Sequence, residues 1–193
     1  MVADTLPPSQ LGASERGPLT GVRVIDITSI FMGPSATQML GDLGADVIKI
    51  EPPTGDTFRM SGKPAKTKGM GACHMTLGRG KRSVALDLKQ AADKEVLRKL
   101  LATADVFIHN IRADAIERLG FDYESVKALK PDIIYVHCVG FGSDGPYAEL
   151  QAYDDVIQGL TGCTDRREPR RRSSMPSRLA LLRRVSSGTS SSA

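Results

Sequence analysis

Three cysteines are present, Cys73, Cys138 and Cys163, and no two of them stand at Cys-x-x-Cys spacing. With His74, His109 and His137 they make no metal-ligand pattern, so no metal is expected and the thiols read as reduced side chains of a cytosolic protein. No apolar run approaches the roughly 18 residues that a membrane span needs, and no membrane partner is expected. The leader MVADTLPPSQLGASERGP lacks an apolar signal core and sets Asp4 and Glu15 against Arg16, which suits a transit peptide poorly. Residues 1–18 therefore read as a disordered start, and the protein as cytoplasmic. GxSxG, HExxH and P-loop motifs are missing too. The first turn, TSIFMGPSAT, holds one glycine where a dinucleotide fingerprint would need three, so no nicotinamide cofactor is expected.

The formal charge is +4 and the pI about 9.0, which invites a nucleic-acid partner until the charge is located. Residues 163–193 carry eight Arg against Asp165 and Glu168; removing that +6 from the chain total leaves the first 162 residues at −2. All ten Lys precede Pro131. The basic character belongs to the tail, and a folded nucleic-acid face is not supported.

A chain of 193 residues is long enough to bury a core. Order begins at VRVIDI, β-branched and almost wholly apolar, as a strand buried on both faces should be. SATQMLGDLG follows as a helix with Ala36, Met39, Leu40 and Leu43 on one packed stripe, stopped by Gly44. DVIKIE is a second buried strand, and the three together make a βαβ unit. The alternation then repeats: SVALDL as strand, AADKEVLRKLLATA as a helix with Val96, Leu97, Leu100 and Leu101 inward, DVFIHN as strand, RADAIERLG and YESVKALK as helices, DIIYVHCVGFG as strand. This predicts a doubly wound α/β sheet whose sites lie outside the carboxyl ends of the strands. The long Gly/Lys-rich stretch between Pro52 and Gly80 reads as a loop that covers a site or moves.

Candidate chemistry gathers at those strand ends. Ile30, Phe31 and Met32 would keep a pyrophosphate off the backbone and offer an apolar surface, or simply pack. Pro34 suits a first helical turn. Arg79, Lys81, Arg82, Lys89, Arg112 and Arg118 suit a ligand with several phosphates if they converge, and a solvated charged face if they do not. Asn110 either bonds a ligand or caps the helix after it. Asp154 and Asp155 point about 100° apart on a helix and make no carboxylate dyad; Asp154 suits a helix cap.

LTGVRVIDITSIFMGPSATQMLGDLGADVIKIEPPTGD, GRGKRSVALDLK, ADVFIHNIRADAIERLGFDYESVKALKPDIIYVHCVGFGSDGPY and AYDDVIQGLTG closely resemble the class III CoA-transferases, in order and over residues 19–162. This is the family of formyl-CoA transferase and the succinate–dicarboxylate CoA-transferases, with α-methylacyl-CoA racemases as relatives. The resemblance implies a Rossmann-like fold, acyl-CoA and carboxylic acid substrates with coenzyme A as the bound carrier, and a homodimer of two interlocked subunits. Carried over by position, it implies that Ser29, Ile30, Phe31 and Met32 line the CoA pocket, that Leu86 contacts the adenine side, that Lys89 and Arg118 bind phosphates, and that Asn110, Ile111 and Arg112 lie beside the pantetheine and phosphates. Pro52 and Val139 stand where formyl-CoA transferase has an arginine and a lysine, and Gly78 where an asparagine is common; these departures speak against formate or oxalate.

In the family an aspartate attacks the acyl-CoA carbonyl and forms covalent intermediates. It lies just after the helix matching AYDDVIQGLTG, in an Asp-Gly-Pro context. Here that place reads CTDRREPRRRSS, whose only carboxylates, Asp165 and Glu168, lack those surroundings, so no catalytic residue is assigned. The resemblance implies a further smaller domain and a glycine loop after this point. An abrupt change to Arg, Ser, Pro and Ala, without Lys or aromatics, predicts that residues 163–193 are a tail read out of frame, ending a truncated CoA-transferase. Racemisation is the alternative enzymatic reading, with Asp154 at the racemases' aspartate but Tyr153 in place of their histidine. A non-catalytic CoA-binding module is the alternative outside enzymes.

Overall fold

The computed structural model describes residues 17–62, 66–142, 144–148 and 150–162. The leader before residue 17 and the tail from 163 onward lie outside them, and so do the expectations placed there. The described residues divide into two compact units, one ending at residue 138 and the other beginning at 139.

The first unit is built on β1 (Arg23–Ile27), β2 (Asp46–Glu51), β3 (Lys81–Ala85), β4 (Val106–His109) and β5 (Ile134–His137). All pair in parallel, in the order β3-β2-β1-β4-β5. The connections carry α1 (Met32–Asp42), a 3-10 turn (Thr57–Arg59), α2 (Ala72–Leu77), α3 (Ala91–Leu101), α4 (Ala113–Leu119) and α5 (Tyr123–Leu129). The chain steps outward from β1 to β3, then returns to lay β4 on the other side of β1. That reversal makes the carboxyl ends of β1 and β4 the topological switch point, where α/β sheets open a crevice. The second unit's described element is α6 (Asp154–Leu160). Among the described residues no helix is long and apolar enough to cross a membrane.

Successive strand residues face opposite sides of the sheet, and the two sides differ. One holds the larger core, with Ile25, Ile48 and Phe107 packed against Leu97 and Leu101 of α3 and Val126 of α5. The other holds Val24, Val47 and Ile108 with Leu40 of α1 at its margin. α3 matches its amphipathic pattern at Leu97 and Leu101, both fully buried, while Leu100 is half-buried and Val96 is exposed.

α1 departs from its pattern. The apolar stripe expected to pack is largely outside: Ala36, Met39 and Leu43 are exposed and only Leu40 is half-buried. The buried positions are Gly33, Pro34, Thr37, Gln38 and Gly41. The cause is beneath the helix, where Asp26 of β1 needs polar partners and close approach. A Cβ on Gly33 would fall 2.3 Å from the Thr28 side chain, so the helix sits down on β1 only because residue 33 has none.

Candidate functional site

The turn after β1 is held from three sides. Asp26 accepts the Thr28 N–H at 2.8 Å and its hydroxyl at 2.5 Å. The Thr28 carbonyl accepts the buried ammonium of Lys49. Ser29 is held at both backbone groups by Asn110, its N–H donating to Oδ1 at 3.0 Å and its carbonyl accepting Nδ2 at 2.9 Å. Asn110 thus neither caps α4, whose N-cap is Arg112, nor stands apart as a free donor; it ties the β4 end to the β1 end. Beside it, His137 lies at 2.9 Å from the Ile111 carbonyl, donating through Nε2, and stacks on His109 with ring centroids 4.4 Å apart.

Ile30 follows with φ of +66°, and it is half exposed; Met32 is exposed at the start of α1. Phe31 is turned to one side and meets Phe58 edge-on at 5.2 Å. Of the three bulky residues of the turn, Ile30 and Met32 present open apolar surface and Phe31 packs.

Under the turn lies a charged network that the apolar look of the strands concealed. Lys81 pairs with Asp26 at 3.1 Å, and Lys49 with Asp56 at 3.0 Å, all four nearly inaccessible to solvent. Burial pushes the Asp26 carboxyl up, but the charges of Lys49 and Lys81 and the hydroxyls of Thr28 and Thr37 outweigh it and hold Asp26 below the usual carboxylate range. Burial lowers the Lys81 ammonium, opposed by Asp26. The signal in the sequence was one charge at the fourth position of DVIKIE and one at the fifth of VRVIDI. Charges there, inside strands walled on both faces, require partners.

The stretch after β2, expected to cover a site or move, is anchored in its described part. Glu51 takes two hydrogen bonds from Arg59, at 2.6 and 2.8 Å, and one from the Asp56 N–H at 2.9 Å. With Lys49–Asp56 and Phe58–Phe31 these bonds dock the 3-10 turn beside the β1 turn.

The basic residues do not all converge. Arg79 pairs with Asp42, Arg82 with Asp46, and Lys81 is buried with Asp26; all three stand at the amino end of β3, away from the carboxyl ends of the strands. Arg112 and Arg118, both exposed, share Asp114 at 3.6 and 3.2 Å. Lys89 is exposed beyond the carboxyl end of β3, and Leu86 is buried in the larger core. β3 and β4 are three strand steps apart, about 14 Å. Ser29 and Asn110 therefore meet at the switch point, with Ile30 and Ile111 next to them in the chain, whereas Leu86 and Lys89 lie across the sheet from Arg112 and Arg118.

In the second unit, Asp154 is the first residue of α6, after the N-cap Tyr153, and accepts Gln158 Nε2 at 2.9 Å; it is not the cap that its position suggested. An Asp-Gly-Pro triplet occurs at 144–146, ahead of α6 rather than after it, with Asp144 exposed. Among the described residues no group of three or more His, Cys, Asp or Glu is placed to hold a metal.

Known proteins give the site its context. Residues 19–182 match the sequence profile of CoA-transferase family III. Among curated proteins the chain is 43% identical to a succinate–glutarate CoA-transferase of Agrobacterium fabrum over 155 residues, covering 77% of this chain and 39% of that protein. It is 41% identical to a formyl-CoA:oxalate CoA-transferase of Streptomyces avermitilis over 145 residues, covering 75% and 35%. Among solved structures it resembles a CAIB/BAIF family protein from Brucella suis with a TM-score of 0.77 and 37% identity, over 89% of this chain and 51% of that one. The chain thus spans well under half the length of these curated relatives and about half of that solved structure.

Proposed function

Because the chain belongs to CoA-transferase family III, we propose that its β1/β4 crevice is the coenzyme A-binding part of an enzyme that moves CoA between carboxylic acids. The observation that carries this reading is the meeting, at the strand-order reversal, of an apolar turn with the residues after β4. Ile30 and Met32 offer open surface against which the pantetheine arm lies, with Ser29 and Ile111 forming the walls and Phe31 and Asn110 supporting the turn. Arg112 and Arg118, and Lys89 on the far side with Leu86 beneath it, take the phosphates and the nucleotide end. Guanidinium and ammonium groups at a crevice rim suit phosphate oxygens.

The chemistry proposed for the enzyme is covalent catalysis by a carboxylate. The carboxylate attacks the acyl-CoA carbonyl, the C–S bond breaks, and a mixed anhydride and CoA thiolate result. The thiolate attacks the enzyme's own carbonyl in the anhydride, releasing the donor acid and leaving an enzyme thioester. The acceptor acid attacks that thioester, expelling CoA thiolate and forming a second mixed anhydride, and the thiolate then attacks the acceptor's carbonyl, giving the new acyl-CoA and freeing the enzyme carboxylate. No residue of this chain is assigned as that carboxylate. Pro52 and Val139, in place of the CoA-contacting arginine and the lysine of formyl-CoA transferase, weaken a claim to formate or oxalate, and no donor or acceptor acid is assigned. The same reading makes the working enzyme a cytoplasmic, interlocked homodimer.

Calorimetric titration with coenzyme A tests the site. Lys89→Ala and Arg118→Ala should each weaken binding about tenfold, the equivalent of one charge-assisted hydrogen bond near 1.4 kcal/mol, while Lys99→Ala on exposed α3 leaves it unchanged. Equal affinity in all three variants would remove the phosphates from this rim.

A further inference from the structure

Among the described residues Ile30 is the one non-glycine with positive φ. For a β-branched side chain this conformation is strained, and it persists only where the surroundings over-determine it. Here they do. The β1–β4 ladder ends at the pair Ile27 and His109, beyond which the two backbones part, one toward α1 and the other toward α4. Asn110 carries the pairing further with its side chain: its amide presents the same donor and acceptor as a peptide group and engages both the N–H and the carbonyl of Ser29. Lys49 fixes the carbonyl one residue earlier and Asp26 the N–H of the same residue. On the other side the Phe31 carbonyl is already committed to α1, accepting the Ser35 N–H at 3.0 Å. Ile30 is left as the single joint between two fixed segments, and its side chain is half exposed.

We infer that Asn110 is a positioning residue for coenzyme A, acting by clamping Ser29 so that Ile30 is held left-handed with its side chain presented to the ligand. This rests on the coenzyme A reading above. It differs from a direct Asn110–ligand contact, because the amide oxygen and one amide hydrogen are already engaged by Ser29.

The test compares the whole chain with Ile30→Gly, Asn110→Ala and the double variant. Glycine adopts positive φ without strain, and the unfolded-state entropy it adds is common to both backgrounds and cancels. The melting-temperature change caused by Ile30→Gly should be about 2–4 °C more favourable with Asn110 present than in the Asn110→Ala background, where residue 30 has already relaxed. In titrations with coenzyme A each single variant should weaken binding about tenfold, and the double variant no more than the worse single. Equal temperature changes in both backgrounds, with affinity losses that multiply, would overturn the clamp and make Asn110 a direct contact. Hydrogen exchange on the unaltered chain stands apart from any variant's folding: the Ser29 amide should be protected, and exchange at the free-peptide rate would overturn the proposal. If the unaltered chain does not bind coenzyme A, the ligand assignment falls, while the thermal coupling and the Ser29 exchange still decide the clamp.

Discussion

Glu51 and His109 set how the molecule responds to acid, for opposite electrostatic reasons. Burial pushes the Glu51 carboxyl up, but hydrogen bonds from Arg59, the Asp56 N–H and Ser83 outweigh it and hold Glu51 at about 2, below its ordinary 4.5. His109 is fully buried; desolvation, helped by the neighbouring charge of His137, lowers it to about 4 from 6.5. In both cases the unfolded chain takes up its proton at a higher pH than the folded one, so stability is lost on acidification. His109 contributes the loss between about 6.5 and 4, and Glu51 the loss between about 4.5 and 2. Thermal unfolding followed from pH 7 to pH 3 should show a falling melting temperature across both windows, and His109→Phe should flatten the upper one. An unchanged slope between pH 6.5 and 4 in that variant would show that His109 is not the group titrating there. At this scale the sequence singled out Asn110, at the end of an apolar strand, but not the Ser29 backbone that its amide holds. It was illegible where a charge sat inside one, as at Lys49 and Asp26, because nothing local reveals which distant group neutralises a buried charge.

α1 and α3 have similar amphipathic patterns and opposite fates. α3 lies over large aliphatic and aromatic residues, and its Leu97 and Leu101 are buried completely. Leu101→Ala should cost about 2–5 kcal/mol, from lost transfer free energy and the cavity left behind. Val96→Ala, at an exposed site on the same helix, should stay within about 0.5 kcal/mol. Urea unfolding of both variants checks this, and comparable losses would mean that α3 is rotated from its described position. α1 turns its glycines and Thr37 to the sheet because the surface below is Asp26 and Lys81, with the Thr37 hydroxyl on Asp26 at 2.6 Å and Lys81 Nζ on Thr37 at 2.7 Å. Hydrophobic periodicity assumes that the partner surface is apolar, and at α1 that assumption fails. The order and type of the strands and of α1, α3, α4 and α5 were readable from the sequence, because alternating apolar runs and glycine stops, such as Gly120 with φ of +78° closing α4, depend on local conformation; the 3-10 turn and α2 were not, and lie inside the stretch between Pro52 and Gly80 that reads as a loop.

For the whole molecule, strand and helix alternation was enough to predict a parallel α/β sheet, and the resemblance to CoA-transferases pointed to the ends of β1 and β4. The geometry adds the order β3-β2-β1-β4-β5. That order brings Ser29 and Asn110, 81 positions apart in the chain, into hydrogen-bond contact. It also divides the basic residues into Arg79, Lys81 and Arg82 at the amino end of β3 and Lys89, Arg112 and Arg118 beyond the carboxyl ends of β3 and β4. Spacing along the chain could not make that division, since Lys81 and Lys89 are close in sequence yet lie at opposite ends of one strand. The central claim is that coenzyme A binds at the switch point. Titrating coenzyme A into isotope-labelled protein and following backbone amide shifts tests it most directly. Perturbations should concentrate at 29–32, 86–89 and 110–118; shifts confined to the opposite edge, around Asp42, Asp46, Arg79 and Arg82, would contradict it.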